Sequence, residues 1–227
     1  MIKAIIFDFD GLIVDTESVW FEVFQNVMVE YDCHLSLEDF SVSIGTTDDM
    51  LYERLAKLAG KPIDRAEISR KTDEQYKQKI DHLHLREGVL DYLKAAKELH
   101  LKIALASSSS KKWVQSFLEK FAISEFFEVI KTADDVKNVK PDPELYIRAI
   151  KELGIEAHEA LAFEDSKNGL TAATKAGAHC VIVPNPVTSF LDFSGHVYRL
   201  SSMAEIPLQH LLKVVEGKLN HRVPKKL

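Results

Sequence analysis

Cysteine is nearly missing from the 227 residues, with Cys33 and Cys180 as the two present. Two are too few for a disulfide framework and are not spaced as paired metal ligands, which fits a reducing cytosol. Glycine and proline are sparse at 9 and 7, which excludes collagen-like and low-complexity chains. Long apolar runs are missing as well: no window reaches the roughly 18 uncharged residues that a membrane span needs. The N-terminus passes from Met1-Ile2-Lys3 directly into Ala4-Ile5-Ile6-Phe7-Asp8, without the pattern of a signal peptide. A soluble cytoplasmic protein that does not contact membrane is expected. Positive charge is in deficit, with 29 Lys and Arg against 35 Asp and Glu for a net charge of −6, and such a surface repels a nucleic-acid backbone. What remains is ordinary globular composition, 46% apolar and 28% charged, in a length suited to one large domain or one domain carrying an insertion.

Short apolar runs alternate with stretches of helical spacing. Strands are expected at residues 3–7, 101–106, 127–132, 160–163 and 179–183, with a weaker one at 197–200, and their near-continuous hydrophobicity suggests burial on both faces. Helical patterns at 88–99, 111–121, 143–153 and 168–176 lie between them, the alternation of a doubly wound, Rossmann-like α/β parallel sheet. From Thr16 to His82 no strand pattern occurs. Trp20, Phe21, Phe24, Val27 and Met28 recur at helical spacing, and further helical patterns follow at 50–58 and 67–80. The expected organisation is an α/β core of 1–15 and 83–227 with an all-helical insertion at 16–82. The Trp20–Met28 stripe reads as packing, and the basic tail 218–227, with Pro224, as a solvated end.

Chemistry-bearing residues gather at the predicted carboxyl ends of the strands, where open α/β sheets bind ligands. Asp8-Phe9-Asp10-Gly11 puts two carboxylates at the end of a buried strand, where desolvation is costly unless a cation or hydrogen bonds compensate. A turn pair closing the strand would suit the same spacing; a calcium loop would not, since its glycine falls later. Ser107 to Ser110 follow the second strand and place hydroxyls and helix N-terminal amides at the same edge, suited to a phosphate, with Ser109 and Ser110 reading as N-caps. Lys140 is stiffened by Pro141 and Pro143 before a helix. Glu164 and Asp165 again place acids at a strand end, where Asp165 or Ser166 could equally cap the next helix.

The order Asp-x-Asp, Ser, Lys, Glu-Asp along an alternating α/β chain resembles the haloacid dehalogenase superfamily over essentially the whole sequence. A helical insertion directly after the first motif, entered through Asp15-Thr16-Glu17, is similar to the mobile cap of the branch that contains β-phosphoglucomutase and small sugar-phosphate phosphatases. The resemblance implies that Asp8 attacks phosphorus to form an aspartyl-phosphate and that Asp10 protonates the leaving alkoxide and later deprotonates water. It implies Mg2+ held by Asp8, the main-chain carbonyl of Asp10, Asp165 and Glu164, with Ser107, Ser108 and Lys140 binding the transferring oxygens. An acid at position 10 marks the superfamily's phosphatases and phosphomutases.

Two rivals remain: a hexose phosphomutase, and a phosphate-ester binding protein without turnover. A mutase of this branch carries a histidine early in the first cap helix and an arginine in the specificity loop. Here the corresponding position is Trp20, and the loop Ile44-Gly45-Thr46-Thr47-Asp48 has no basic residue, with a helix start near Thr46 or Thr47 as its other reading. Lys71, Lys77 and Lys79 read as the solvated face of a helix. The expectation is a monomeric phosphatase acting on a small phosphorylated metabolite.

Overall fold

The computed structural model describes residues 1–222, the side chains to residue 220. Six parallel strands form one sheet: β1 (Ala4–Phe7), β2 (Lys102–Ala106), β3 (Val129–Lys131), β4 (Ala160–Glu164), β5 (His179–Ile182) and β6 (Tyr198–Arg199), in the order β3-β2-β1-β4-β5-β6. The core helices are α5 (Val89–Glu98), α6 (Lys111–Lys120), α7 (Glu144–Leu153), α8 (Lys167–Lys175) and α9 (Leu208–Arg222). Between β1 and α5 lie α1 (Thr16–Met28), α2 (Leu37–Ser41), α3 (Asp49–Ala59) and α4 (Arg65–Lys79), with no strand among them. No helix among the described residues is long and apolar enough to cross a membrane.

The period-2 alternation of a strand makes the two faces of this sheet unequal. Ile5, Phe7, Ile103, Leu105, Leu161, Phe163 and Val181 form one face and pack on Tyr92 and Leu93 of α5, Phe117 and Leu118 of α6 and Leu211 of α9. The other face carries Ala4, Ile6, Ala104, Ala106, Ala160, Ala162 and Cys180, against Tyr146 and Ala149 of α7 and Ala172 and Ala173 of α8. Small side chains on that second face let α7 and α8 approach closely. A third cluster, built from Phe24, Val27, Met28, Phe40, Leu51, Tyr52, Leu55 and Ile68, unites α1 to α4.

Several elements depart from the sequence expectation. The strand expected at 127–132 shrinks to β3 because Ser124–Phe126 forms a 3-10 turn ahead of it. Helix α9 is unanticipated. Its Leu208, Leu211 and Val215 bury against the large-residue face, so the start of the basic tail continues a helix to residue 222 rather than fraying; Lys218 and Asn220 are exposed as expected, although Lys218 donates to the Val197 carbonyl and lies 4.5 Å from the Tyr198 ring centroid. Residues 223–227 of that tail, Pro224 included, lie outside the described residues. Helix α3 starts after Asp48 with no side-chain cap, so neither Thr46 nor Thr47 caps it.

Arg86, on the return from α4 to the sheet, fastens the loops at its carboxyl edge by donating to the Gly11, Val183 and Pro184 carbonyls at 2.5, 3.0 and 2.6 Å. Methionine there keeps the stem but strands three acceptors. Arg86→Met is expected to lower unfolding free energy by roughly 2–4 kcal/mol in urea titrations; an unchanged midpoint would refute this role.

Candidate active site

Register brings the acids together. Ile6 pairs with Ala162 and Phe7 with Phe163, so Asp8 and Glu164 continue neighbouring strands in line and point to the small-residue face. Between them stands Lys140, fully buried, whose Nζ donates to Asp8 Oδ1 at 2.5 Å and Glu164 Oε1 at 2.7 Å. Tyr146 of α7 donates its hydroxyl to the same Glu164 oxygen. Burial works against the Lys140 charge, but the two carboxylates hold its pKa above the ordinary lysine value. Glycine at 169 makes room for this group, since a Cβ there would lie 1.8 Å from Glu164 Oε2.

Asp8, Glu164 and Asp165 each offer a carboxylate oxygen within 4.8 Å of the others. Asn185 donates to Asp165 Oδ2 at 2.7 Å, while Asp165 Oδ1 is buried with no hydrogen-bond partner among the described residues. Gly11 closes the turn beneath them at φ +75°, and a Cβ on it would lie 2.2 Å from Asp165 Oδ2. Lys140 contacts two of these three buried carboxylates and Arg86 acts on Asp165 from farther off, which leaves negative charge in excess, and the hard oxygens suit a cation such as Mg2+. Burial, followed by repulsion from Glu164, pushes Asp8 up to about 7 against the pull of Lys140; burial and the Asp8 charge raise Asp165 well above the carboxylate range.

The carboxylate of Asp10 is turned away from this trio. Its Oδ1 accepts from Thr16 Oγ1 and Trp113 Nε1, both at 2.9 Å, and its Oδ2 from Ser109 Oγ at 2.6 Å. Burial raises its pKa, with these donors opposing. Ser109 is therefore no N-cap; Ser110 caps α6 alone, accepting from the Trp113 amide. Ser166 caps α8, which leaves Asp165 free of that duty. Ser107 is buried, its hydroxyl accepting from the Ser109 amide at 3.0 Å and its own amide donating to the Lys131 carbonyl.

Asp8, Asp10, Ser107 and Ser108 open onto a cavity of about 290 Å³ whose opposite wall includes Glu17, Trp20, Gly45, Asp48 and Tyr52. Trp20 thus lines the cavity as well as packing, a role the apolar stripe alone did not suggest. Burial and the charges of Asp10 and Asp8 raise Glu17 well above its usual pKa. Among the described residues no lysine or arginine lines the cavity. Lys71 pairs with Glu30 and Glu67, and Lys79 with Glu22. The 44–45 loop rests on the sheet edge through its backbone: Ser108 Oγ donates to the Gly45 carbonyl at 2.9 Å and Asn168 Nδ2 to the Ile44 carbonyl at 2.8 Å.

Sequence reasoning missed Asn185, Arg86, Tyr146, Trp113 and the site role of Ser109. Asn185 carried a signal, since Pro184 and Pro186 frame it just after an apolar strand as Pro141 and Pro143 follow Lys140. Trp113 carried none; nothing in its neighbours separates it from an ordinary amphipathic helix.

Carboxyls whose folded pKa lies above the unfolded value bind extra protons when folded, so stability falls as pH rises through that interval. Asp8, Asp10, Asp165 and Glu17 all have this sign. In a chelating buffer, the melting temperature is expected to fall between about pH 5.5 and about pH 8, and Asp8→Asn to flatten the slope. A melting temperature that climbs over that range would contradict it.

Comparison with known proteins places the chain in a recognisable group. A family model described as haloacid dehalogenase-like hydrolase matches residues 5–183. "Putative phosphatase YhcW" of Bacillus subtilis (strain 168) is 48% identical, covering 93% of this chain and 97% of its own. "Phosphorylated carbohydrates phosphatase" of Thermotoga maritima is 32% identical over 77% of this chain and 82% of its own. The crystal structure of CbbY from Rhodobacter sphaeroides in complex with phosphate superposes with a TM-score of 0.71 at 30% identity, covering 90% of this chain and 96% of that one. A second CbbY structure holds xylulose-(1,5)bisphosphate.

Proposed function

This chain belongs to the haloacid dehalogenase-like hydrolase family, and on that premise we propose that it is a magnesium-dependent phosphatase that hydrolyses a small phosphate monoester, a sugar phosphate, through an aspartyl-phosphate on Asp8. The observation that carries this reading is the Asp8 carboxylate held at Oδ1 by buried Lys140, with Asp10 separately hydrogen-bonded beside it on the same cavity. A nucleophile and a proton-transfer acid with different surroundings are what a two-step phosphoryl transfer requires.

In the first step an Asp8 oxygen forms a bond to phosphorus while the bond from phosphorus to the sugar oxygen breaks, and Asp10 gives its proton to that oxygen. In the second step the Asp10 carboxylate takes a proton from water as the water oxygen attacks phosphorus, and the bond to Asp8 breaks to release inorganic phosphate. Ser107 and the Ser108 amide bind the transferring oxygens in this reading. Lys140 pulls the Asp8 pKa down against burial and so favours its carboxylate, and in this reading its charge also serves the transferring oxygens. Asp8, Asp165, the Asp10 carbonyl and Glu164 would hold Mg2+, which when bound supplies charge against the phosphate and the crowded acids. The unpartnered Asp165 Oδ1 and the all-oxygen donor set support that assignment.

We take residues 16–82 as a cap domain over a core of 1–15 and 83–227, and the protein as a cytoplasmic monomer. A cavity lined by no lysine or arginine among the described residues offers a second phosphate group no counter-charge there, which favours hydrolysis of a monophosphate over mutase chemistry. The carbohydrate phosphatase among its relatives supports the substrate class.

Asp8→Asn is expected to reduce turnover of p-nitrophenyl phosphate with Mg2+ by several orders of magnitude, on the order of 10⁴-fold or more, while the circular dichroism spectrum is retained. Near wild-type turnover would rule out the covalent route. Supplied with β-glucose 1-phosphate and a trace of the 1,6-bisphosphate, the enzyme is expected to release inorganic phosphate; efficient conversion to glucose 6-phosphate with little release would make it a mutase. Absence of turnover on any phosphate ester with Mg2+ would leave a binding protein.

A further inference from the structure

We propose that Trp113 is a positioning residue for Asp10, fixing which carboxyl oxygen carries the transferred proton, and that it is held in place by two rings from the helical insertion, Trp20 and Tyr76. The proposal rests on the reading of Asp10 as the proton donor.

Asp10 Oδ1 accepts from the Trp113 indole and from Thr16, whereas among the described residues Oδ2 meets only the Ser109 hydroxyl. An indole N–H can donate but never accept, while a hydroxyl can do either. Oδ1 is therefore committed as an acceptor in both protonation states. When Asp10 is protonated the hydrogen sits on Oδ2, where the Ser109 hydroxyl can turn and accept it until a leaving-group oxygen takes that place. The acid is thus presented on one defined oxygen, without a competing tautomer on the other.

Packing fixes the plane of the indole. Phe117 meets Trp113 edge-on at 5.1 Å from the core side and itself packs on Phe9, the neighbour of Asp10, at 5.6 Å. From the other side come Tyr76 of α4 at 5.5 Å and Trp20 of α1 at 6.3 Å, rings that stack on each other at 4.0 Å. Tyr76 is almost fully buried and its hydroxyl has no partner among the described residues, so its contribution at this place is its ring. Removing the Tyr76 ring should free the indole to rotate, and the hydrogen bond to Oδ1 would lose its alignment.

The test separates proton donation from other steps by leaving group. The parameter kcat/KM reports events up to departure of the leaving group, and p-nitrophenolate leaves without a proton whereas the alkoxide of an alkyl phosphate such as glycerol phosphate requires one. With Mg2+ present, Trp113→Phe, which keeps an aromatic ring and loses the N–H, is expected to lower the alkyl-to-aryl ratio of kcat/KM about tenfold, and Asp10→Asn by about 10²-fold or more. Trp113→His, whose ring can again donate, should recover part of the ratio, and Tyr76→Leu should lower it in the same direction as Trp113→Phe. A selective loss in Asp10→Asn with none in Trp113→Phe would overturn the role of Trp113 while leaving Asp10 as the acid. No selective loss in Asp10→Asn would overturn the acid assignment itself. Selective loss in Trp113→Phe without any in Tyr76→Leu would overturn the link to the insertion.

Discussion

Lys140 places a single ammonium, without access to water, between the carboxylates of Asp8 and Glu164, and much of the molecule is arranged around that fact. A buried charge is tolerated only when paired and hydrogen-bonded, and taking away one partner leaves the others uncompensated. The surroundings answer each need. Tyr146 reaches from α7 to Glu164, Ser166 Oγ lies 3.4 Å from the other Glu164 oxygen, and Gly169, lacking a side chain, lets α8 press against the carboxylate. Asp8 is left with one oxygen free of the lysine, facing the cavity.

The unequal faces of the sheet belong to the same arrangement. Alanines at positions 4, 104, 106, 160 and 162 give α7 and α8 a close seat, and the side chains that emerge at the carboxyl end of this face are Asp8 and Glu164. Larger aliphatic and aromatic residues on the opposite face bury most of the apolar volume, and there α9 completes the cover. Bulk burial and close approach are thus divided between the two sides, and the ionic group lies on the side where helices come nearest.

Much of this was legible in the residues. Continuous apolar runs gave the five principal strands, and the missing strand pattern between Thr16 and His82 matched four helices in succession. Asp8, Lys140, Glu164 and Asp165 stood out because charge or stiffened backbone at the end of an apolar run conflicts with burial unless it has a purpose. What escaped was set by three-dimensional proximity. Ser109 looked like Ser110, yet one hydroxyl meets Asp10 and the other caps a helix; only the turn between β2 and α6 decides which. Helix α9 was hidden by the polar and basic residues that interrupt its apolar positions. Trp113 and Asn185 act on acids more than a hundred residues and twenty residues away, respectively, separations that no local pattern encodes.

The loop at Ile44 and Gly45 meets the sheet edge with its carbonyls, accepting from Ser108 and Asn168, while Gly45 itself sits so close to Ser166 that a Cβ would lie 2.4 Å from its hydroxyl. Main-chain acceptors are the same whatever side chains the loop bears. Ile44 is buried among the helices of the insertion and Gly45 must stay small, but the side chains of Thr46, Thr47 and Asp48 take no part in these two hydrogen bonds. Attachment is carried by the main chain while Thr46 and Asp48 line the cavity, so what holds the loop and what it shows to the cavity are written in separate chemical alphabets.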